Sequence, residues 1–431
     1  MREITKYLYS FIKKEWIHKN DFWKIIDRSL VFSTHSTHFI SSQFQQIEKY
    51  DAIWKTQYRS IIQIKEIDFQ STEMTTLFNT NPCEYVSTHI NESVKKAVKK
   101  GYQYSFSIGT KKIKIYLIYP FSSTDPISNI NSNKMEKYFN DCVRKMFIWL
   151  NIAYMQSNSH CGNELNIYVY LSEFFKLLPE TQSGVLDREN ANTAYTTSCS
   201  EKVDIHICRQ EEWFKVFIHE TFHCLGLDFS HRNDLSVYAK TKILNLFQIE
   251  SEVNLYEAYC ETFANIMNIL FFIHEEPTTS VNVNQKMDKI QRFRDCMLYE
   301  ILFSLFQTVK ILHFYGIHYR TLIDNTGECD LEKYLFKESN TNILSYYIIK
   351  MIFLFNLDEY LSLCRQMNGE NTIFDFKESE KNIDLYVDFI ERKHDNSDLL
   401  ECIDWMYHWY IHRKKNNCLL EYQIMRLSLH E

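Results

Sequence analysis

His219, Glu220 and His223 fall within one five-residue run, HETFH. On a helix, positions i and i+4 share a face, so two imidazoles at that spacing can grip one cation. The carboxylate next to the first imidazole points toward the same space, where it can act as a general base on water. A chain of this composition would show the pattern by accident roughly 0.05 times, so the flanking residues must add weight. They read EEWFKVFIHETFHCLGLDF over 211–229. Trp213, Phe214, Phe217, Ile218 and Phe222 cover the rest of the predicted helix, which implies burial. Two histidines and an acid buried together need a counter-partner, and a metal supplies one. Glu211 and Glu212 suit a helix N-terminus. Gly226, three residues past His223, suits its end.

A catalytic zinc takes three protein ligands, and three sources of the third are open. The first is a downstream glutamate. Leu255–Leu270 reads LYEAYCETFANIMNIL, with Glu257 and Glu261 one turn apart on an otherwise apolar helix. Burying both is costly unless something cationic faces them. A ligand glutamate and a carboxylate that orients a ligand histidine would use the pair fully. The second source is His231. The third is Asp228, which also suits a capping role.

HETFH followed by EAYCETFA resembles the gluzincin clan of zinc peptidases, thermolysin-like in pattern. The resemblance implies that His219, His223 and Glu257 hold zinc. It makes Glu220 the general base and Glu261 the partner that orients His219. Gly226 sits where the metzincin glycine would, but Phe229 occupies the place of the third metzincin histidine and His231 comes two positions late. The resemblance covers about 202–270. With the AT-rich texture of the chain, it is also similar to uncharacterised metallopeptidases of large DNA viruses. The resemblance further implies a zincin-like core, a protein or peptide substrate, and a zinc-activated water. It also implies a second stabiliser for the oxyanion, for which Tyr346, Tyr347, His313 and His318 are the candidates. Lys202–Cys208 is the strand on which such enzymes pair a peptide. The loop 192–197 would form part of the rim, with Tyr195 a substrate contact. His206 reads as a surface residue on that strand.

Those side chains need a scaffold. Tyr102–Ile108 and Lys112–Tyr119 alternate as strands around a Gly109-Thr110 turn. Leu165–Leu171 and Lys202–Cys208 also alternate. A helix is predicted over 134–155, after a polar loop at 122–133. A single helix over 3–30 precedes Ser/Thr-rich connections. Lys95, Lys96, Lys99 and Lys100 read as a solvated helix face. Long apolar periodicity at 285–314, 342–366 and 380–413 predicts helices. The expected fold class is α+β: a zincin-like core with a small mixed sheet over the active-site helix, and a mostly helical C-terminal part. The expected domains are an N-terminal α+β extension (1–100), the catalytic core (101–275) and a helical domain (276–431).

Composition narrows the function classes. The chain has 431 residues, a net charge of -7, 15% aromatics, and only 8 Gly and 5 Pro. Glycine-rich linkers and Pro-rich arms are excluded, and the acidic balance argues against nucleic acid as a partner. No apolar leader is evident at the start, and the best apolar run, 343–355, is broken by Lys350. The expectation is an intracellular protein with no membrane partner, in host cytoplasm or in a virion where other virion proteins are partners. The 12 Cys include no CxxC pair, so free buried thiols are expected. With so few glycines there is no glycine-rich amine-recognition motif of the aminopeptidase kind, which favours endopeptidase action. Two other readings stand beside this one. One is a viral structural or interaction protein whose zinc is structural or whose catalysis is lost. The other is a non-peptidase hydrolase on the same scaffold.

Overall fold

A computed structural model of the chain describes residues 3–19, 21–68, 88–90, 92, 98–120, 132–157, 160–179, 184–276, 289–324, 333–413 and 419–431. Cys83, Cys329, Cys418, Lys95, Lys96 and nearly all of the 122–133 loop lie outside them. The chain is α+β, with a mixed six-stranded sheet. It divides into two compact units: Gln45–Lys176 with Asn192–Leu227, and Met1–Phe44 with Leu177–Ala191 and Asp228–Glu431.

The first unit is built on the sheet. Its strands are β1 (Gln63–Asp68), β2 (Val98–Ile108), β3 (Lys111–Pro120), β4 (Glu164–Ser172), β6 (Ala194–Thr196) and β7 (Lys202–Arg209), in the order β1-β2-β3-β4-β7-β6. The short strand β5 (Leu186–Asp187) belongs to the other unit, where it pairs with Glu338–Ser339. Strands β1 to β3 are antiparallel, β3, β4 and β7 are parallel, and β6 is an antiparallel edge. The Gly109 turn closes β2 onto β3 with a left-handed glycine at φ +58°, as the hairpin reading required. Strand alternation sends Ile113, Ile115 and Leu117 to one face with Ile167 and Ile205, all buried. Phe106 on that face meets Phe147 of the helix Ser132–Tyr154, ring centroids 5.5 Å apart. The other face carries an aromatic ladder across four strands: Tyr116, Tyr168, His206 and Tyr195. Their successive centroids lie 4.6, 4.6 and 4.7 Å apart, with planes within 14°. Stacks of this kind add about 0.5–1.5 kcal/mol each beyond burial. Lys99 and Lys100 sit on β2, not on a helix.

The second unit is mostly helical. The helix expected over 3–30 is broken into Glu3–Ile12, a π-helical turn at Lys13–Ile17, and Trp23–Ser29. The polar run from His18 to Asp21 interrupts its apolar period. The stretch read as Ser/Thr-rich connection is a 28-residue helix, Thr34–Ile61, which runs through the boundary between the units. Its Ser, Thr and His content lowers intrinsic propensity. Ile40, Phe44, Ile47 and Trp54 nevertheless keep a helical period and are buried, so packing decides. The predicted C-terminal helices appear as Lys289–Tyr315, Leu344–Phe355 (its first turn and a half π-helical), Leu357–Asn368, Glu380–Lys393 and Ser397–Arg413. Lys289–Tyr315 is long and apolar enough to cross a bilayer by composition, but 89% of its apolar window is buried inside the protein. It is a core helix.

The end of the chain is threaded into this core. His430 is fully buried, its Nδ1 2.8 Å from Glu300 Oε2 and its Nε2 against Tyr9 Oη. Burial alone would discharge the imidazole. Hydrogen bonds to Cys296 and Glu300 outweigh it and raise the pKa to about 9. A histidine raised in the folded state contributes stability that is fully present below its unfolded pKa of about 6.5 and is lost as pH climbs through 9. Thermal unfolding at pH 6 and pH 9.5 should show wild type losing about 2–4 kcal/mol over that window. His430→Gln should be less stable at pH 6 and nearly flat across the same range.

Candidate metal centre

The helix Trp213–Cys224 carries HETFH and is buried along its whole length. Its start is held by charge. Glu212 takes a left-handed conformation at φ +56°. Lys176, fully buried, places its ammonium on the Glu212 carboxylate, and Lys215 Nζ lies 3.7 Å from the same group. The Lys176 backbone N–H donates to Glu211 Oε2 at 2.8 Å. Burial lowers the Lys176 pKa, while Glu212 and Glu211 hold it up. The flank is pinned by Trp149, whose indole N–H donates to Thr221 Oγ1 at 2.7 Å.

The end of the helix is a Schellman cap. Leu227 N–H donates to the Phe222 carbonyl at 2.9 Å and Gly226 N–H to the His223 carbonyl at 3.2 Å, with Gly226 at φ +65°. The glycine is required twice over. A Cβ there would stand 3.0 Å from Cys161 Sγ and 3.3 Å from Cys199 Cβ. These two cysteines form a disulfide, Cα atoms 5.1 Å apart. The expectation of free thiols fails for this pair and holds for Cys142, Cys208, Cys224, Cys260, Cys296, Cys364 and Cys402. No spacing rule could reveal the link, because 38 residues separate its ends and the fold alone brings them together.

Within this frame His219 and His223 face each other across one turn, Nε2 to Nε2 3.1 Å, rings at 77°. Both are buried, as is Glu220. The other candidate carboxylates belong to the helix Leu255–Glu275, which holds Glu257 in its first turn and Glu261 one turn later. Glu257 is half-buried and its Oε2 accepts from Tyr346 Oη at 3.0 Å. Glu261 is buried, with Lys350 Nζ 3.9 Å from Oε1. Lys350, which interrupts the apolar run in the sequence, donates to the Leu427 carbonyl at 2.5 Å.

The other candidates separate. Asp228 accepts from Ser230 N–H and Oγ and lies 3.1 Å from Cys260 Sγ, a turn-capping role. His231 Nε2 is 2.7 Å from Glu378 Oε1. Tyr347 is a core residue whose hydroxyl donates to the Met425 carbonyl at 2.6 Å. His313 packs on Tyr410, and His318 caps the Tyr319–Ile323 helix through Nδ1. His206, read as a surface residue, is 5% exposed in the aromatic ladder, and burial pushes its pKa down to about 4. Tyr195 stacks on it from β6 rather than from a loop. Strand β7 is paired on both sides, by β4 and β6. Peptide pairing on β7 is therefore blocked where β6 covers it, and among the described residues β6 is the last strand on that side of the sheet. Three residues are too few for periodicity to announce a strand.

No protein-family model, curated protein or solved structure matches this chain. Among the described residues there are groups of side chains that could hold a metal ion, the HETFH histidines among them. The group His160, Cys161 and Cys199 is closed by the disulfide. The Asp228 oxygens accept from Ser230 and meet the Cys260 thiol.

Proposed function

We propose that this chain is a zinc-dependent metallopeptidase, an endopeptidase acting on protein or peptide chains. His219, His223 and Glu257 are the ligands and Glu220 is the general base. The observation that carries the reading is the 3.1 Å between the His219 and His223 Nε2 atoms. Two nitrogens each about 2.05 Å from zinc at a tetrahedral angle stand about 3.3 Å apart. The pair therefore needs almost no rearrangement to accept the ion. Two neutral imidazoles and a carboxylate are also the donor set of hydrolytic zinc sites, which leave one position open.

When bound, zinc lowers the pKa of a water in that open position toward about 7 and polarises the substrate carbonyl. Glu220 takes a proton from the attacking water and passes it to the leaving amine. Glu261 is the partner assigned to orient His219. Tyr346 positions Glu257 through its hydroxyl and is the candidate donor to the oxyanion. Strand β6, the last antiparallel strand on that side of the sheet among the described residues, is the natural place for an extended substrate to pair. Tyr195 then lies on the strand that the substrate would adjoin.

Elemental analysis tests the reading. Purified protein should hold about one zinc per chain, and hydrolysis of an unstructured protein substrate should stop on chelation and return with zinc. The 3.1 Å spacing also fits an imidazole–imidazole hydrogen bond, in which case the protein carries no metal and chelators change nothing. Tyr346→Phe should weaken zinc binding by roughly tenfold in chelator competition, the usual cost of removing a hydrogen bond to a ligand.

A further inference from the structure

We propose that the Cys161–Cys199 disulfide is a thiol-sensitive clamp on the metal-site helix. It would be opened by a small dithiol or by two monothiols, and its opening loosens the Gly226 cap and weakens metal binding. The inference rests on the zinc reading for its effect on metal, and on geometry alone for its effect on the helix.

Three observations place the clamp. The two sulfurs stand within 3.4 Å of where a Cβ on Gly226 would sit, and the Gly226 N–H is one of the two donors of the Schellman cap, on the His223 carbonyl. The neighbouring chain is tied to the same spot. Gly162 N–H donates to the Ser200 carbonyl at 2.7 Å, and a Cβ on Gly162 would stand 2.8 Å from Leu225 Cδ2. So the segments that bear the two cysteines both pack on residues 225 and 226. Finally, the two sulfurs are not equivalent. Cys161 is fully buried, whereas Cys199 is partly exposed and has His160 Nε2 3.5 Å from its sulfur. Every other described cysteine is a free thiol.

The chemistry balances as an ordinary thiol–disulfide exchange. A reductant thiolate attacks the accessible Cys199 sulfur, and Cys161 leaves as a thiolate and takes a proton from water. The second reductant thiol then attacks the sulfur now joined to Cys199. Cys199 leaves as a thiolate with the His160 ring 3.5 Å from its sulfur, and takes a proton from water. The protein gains two electrons and two protons, and the reductant becomes a disulfide. Bonded sulfurs stand about 2.05 Å apart, whereas unbonded ones need roughly 3.5–4 Å. The pair must therefore spread by more than an ångström where Gly226 is already at contact, and the cap must yield or lose its support.

The test uses the full chain, metal-free and zinc-loaded. The protein is compared oxidised and after treatment with dithiothreitol followed by desalting without air. Hydrogen exchange of the Gly226 and Leu227 amides reports the cap directly. Reduction should speed both by about tenfold or more even without metal, and zinc affinity by chelator competition should fall by about tenfold. Reoxidation should restore both. Cys161→Ser/Cys199→Ser should show the fast exchange from the start and ignore dithiothreitol. Equal exchange in the oxidised and reduced metal-free protein overturns the clamp, as does a non-reducing peptide map that lacks the Cys161–Cys199 link. If neither form binds zinc, the zinc reading fails, while the metal-free exchange still decides the clamp.

Discussion

His223→Ala should leave the purified protein with less than about a tenth of a zinc per chain, where wild type carries about one, and without measurable peptidase activity. On the proposed zinc reading, His219 and His223 would chelate as a pair from one helical turn, and removal of either nitrogen would leave a two-ligand site that a metal buffer empties. His223 is buried, so truncation removes packing, but the cap at Gly226 uses the backbone of residue 223 rather than its ring. Far-UV circular dichroism of the variant should therefore match that of the metal-free wild type. Equal metal content in variant and wild type, both folded, would mean that the HETFH pair holds no ion and that the two imidazoles are a structural pair.

Glu220→Gln should lower turnover by ~10²–10⁴ while zinc content stays at the wild-type level. The amide keeps the volume and a hydrogen-bonding oxygen but cannot take a proton from water. Glu220 is buried beside a ligand histidine and belongs to a helix whose two ends are independently fixed, by the Glu212–Lys176 pair and by the Gly226 cap. The substitution should therefore change chemistry without changing the scaffold. This variant also separates an enzyme from a zinc-stabilised structural protein. In the structural case Glu220→Gln keeps zinc, stability and every interaction of the wild type, and there is no turnover to lose.

Sequence periodicity alone recovers most elements that have a strong period. The strands around residues 102–119, 165–171 and 202–208, the helix over 134–155 and the C-terminal helix over 285–314 lie within a few residues of their observed bounds, whereas the runs 342–366 and 380–413 are each broken into two helices. Each carries enough apolar residues at period 2 or 3.6 for local pattern and tertiary burial to agree. The Thr34–Ile61 helix escapes such a reading because its polar residues mask a period that only packing rewards. Strand β6 escapes it because three residues hold no pattern.

The chemistry-bearing residues are legible for a local reason. His219, Glu220 and His223 sit within one and a half turns, so helical geometry alone puts the two imidazoles on one face, where their Nε2 atoms stand 3.1 Å apart. The same holds for the left-handed Gly226 that ends the helix. Glu257 and Glu261 are legible as a pair for the same reason. The sequence could not determine what depends on residues far apart in the chain. Tyr346 bonds Glu257 across 89 residues, which raises it above Tyr347, whose hydroxyl the core consumes. His231 is committed to Glu378, and His206 is drawn into a ladder of aromatic rings by the register of four strands. Cys161 meets Cys199 only because the loops before β4 and β7 come together at the end of the HETFH helix. Short-range spacing makes the candidate metal-binding turn legible, because the helix places i and i+4 on one face. Only tertiary packing decides which partners orient, cap and clamp that turn.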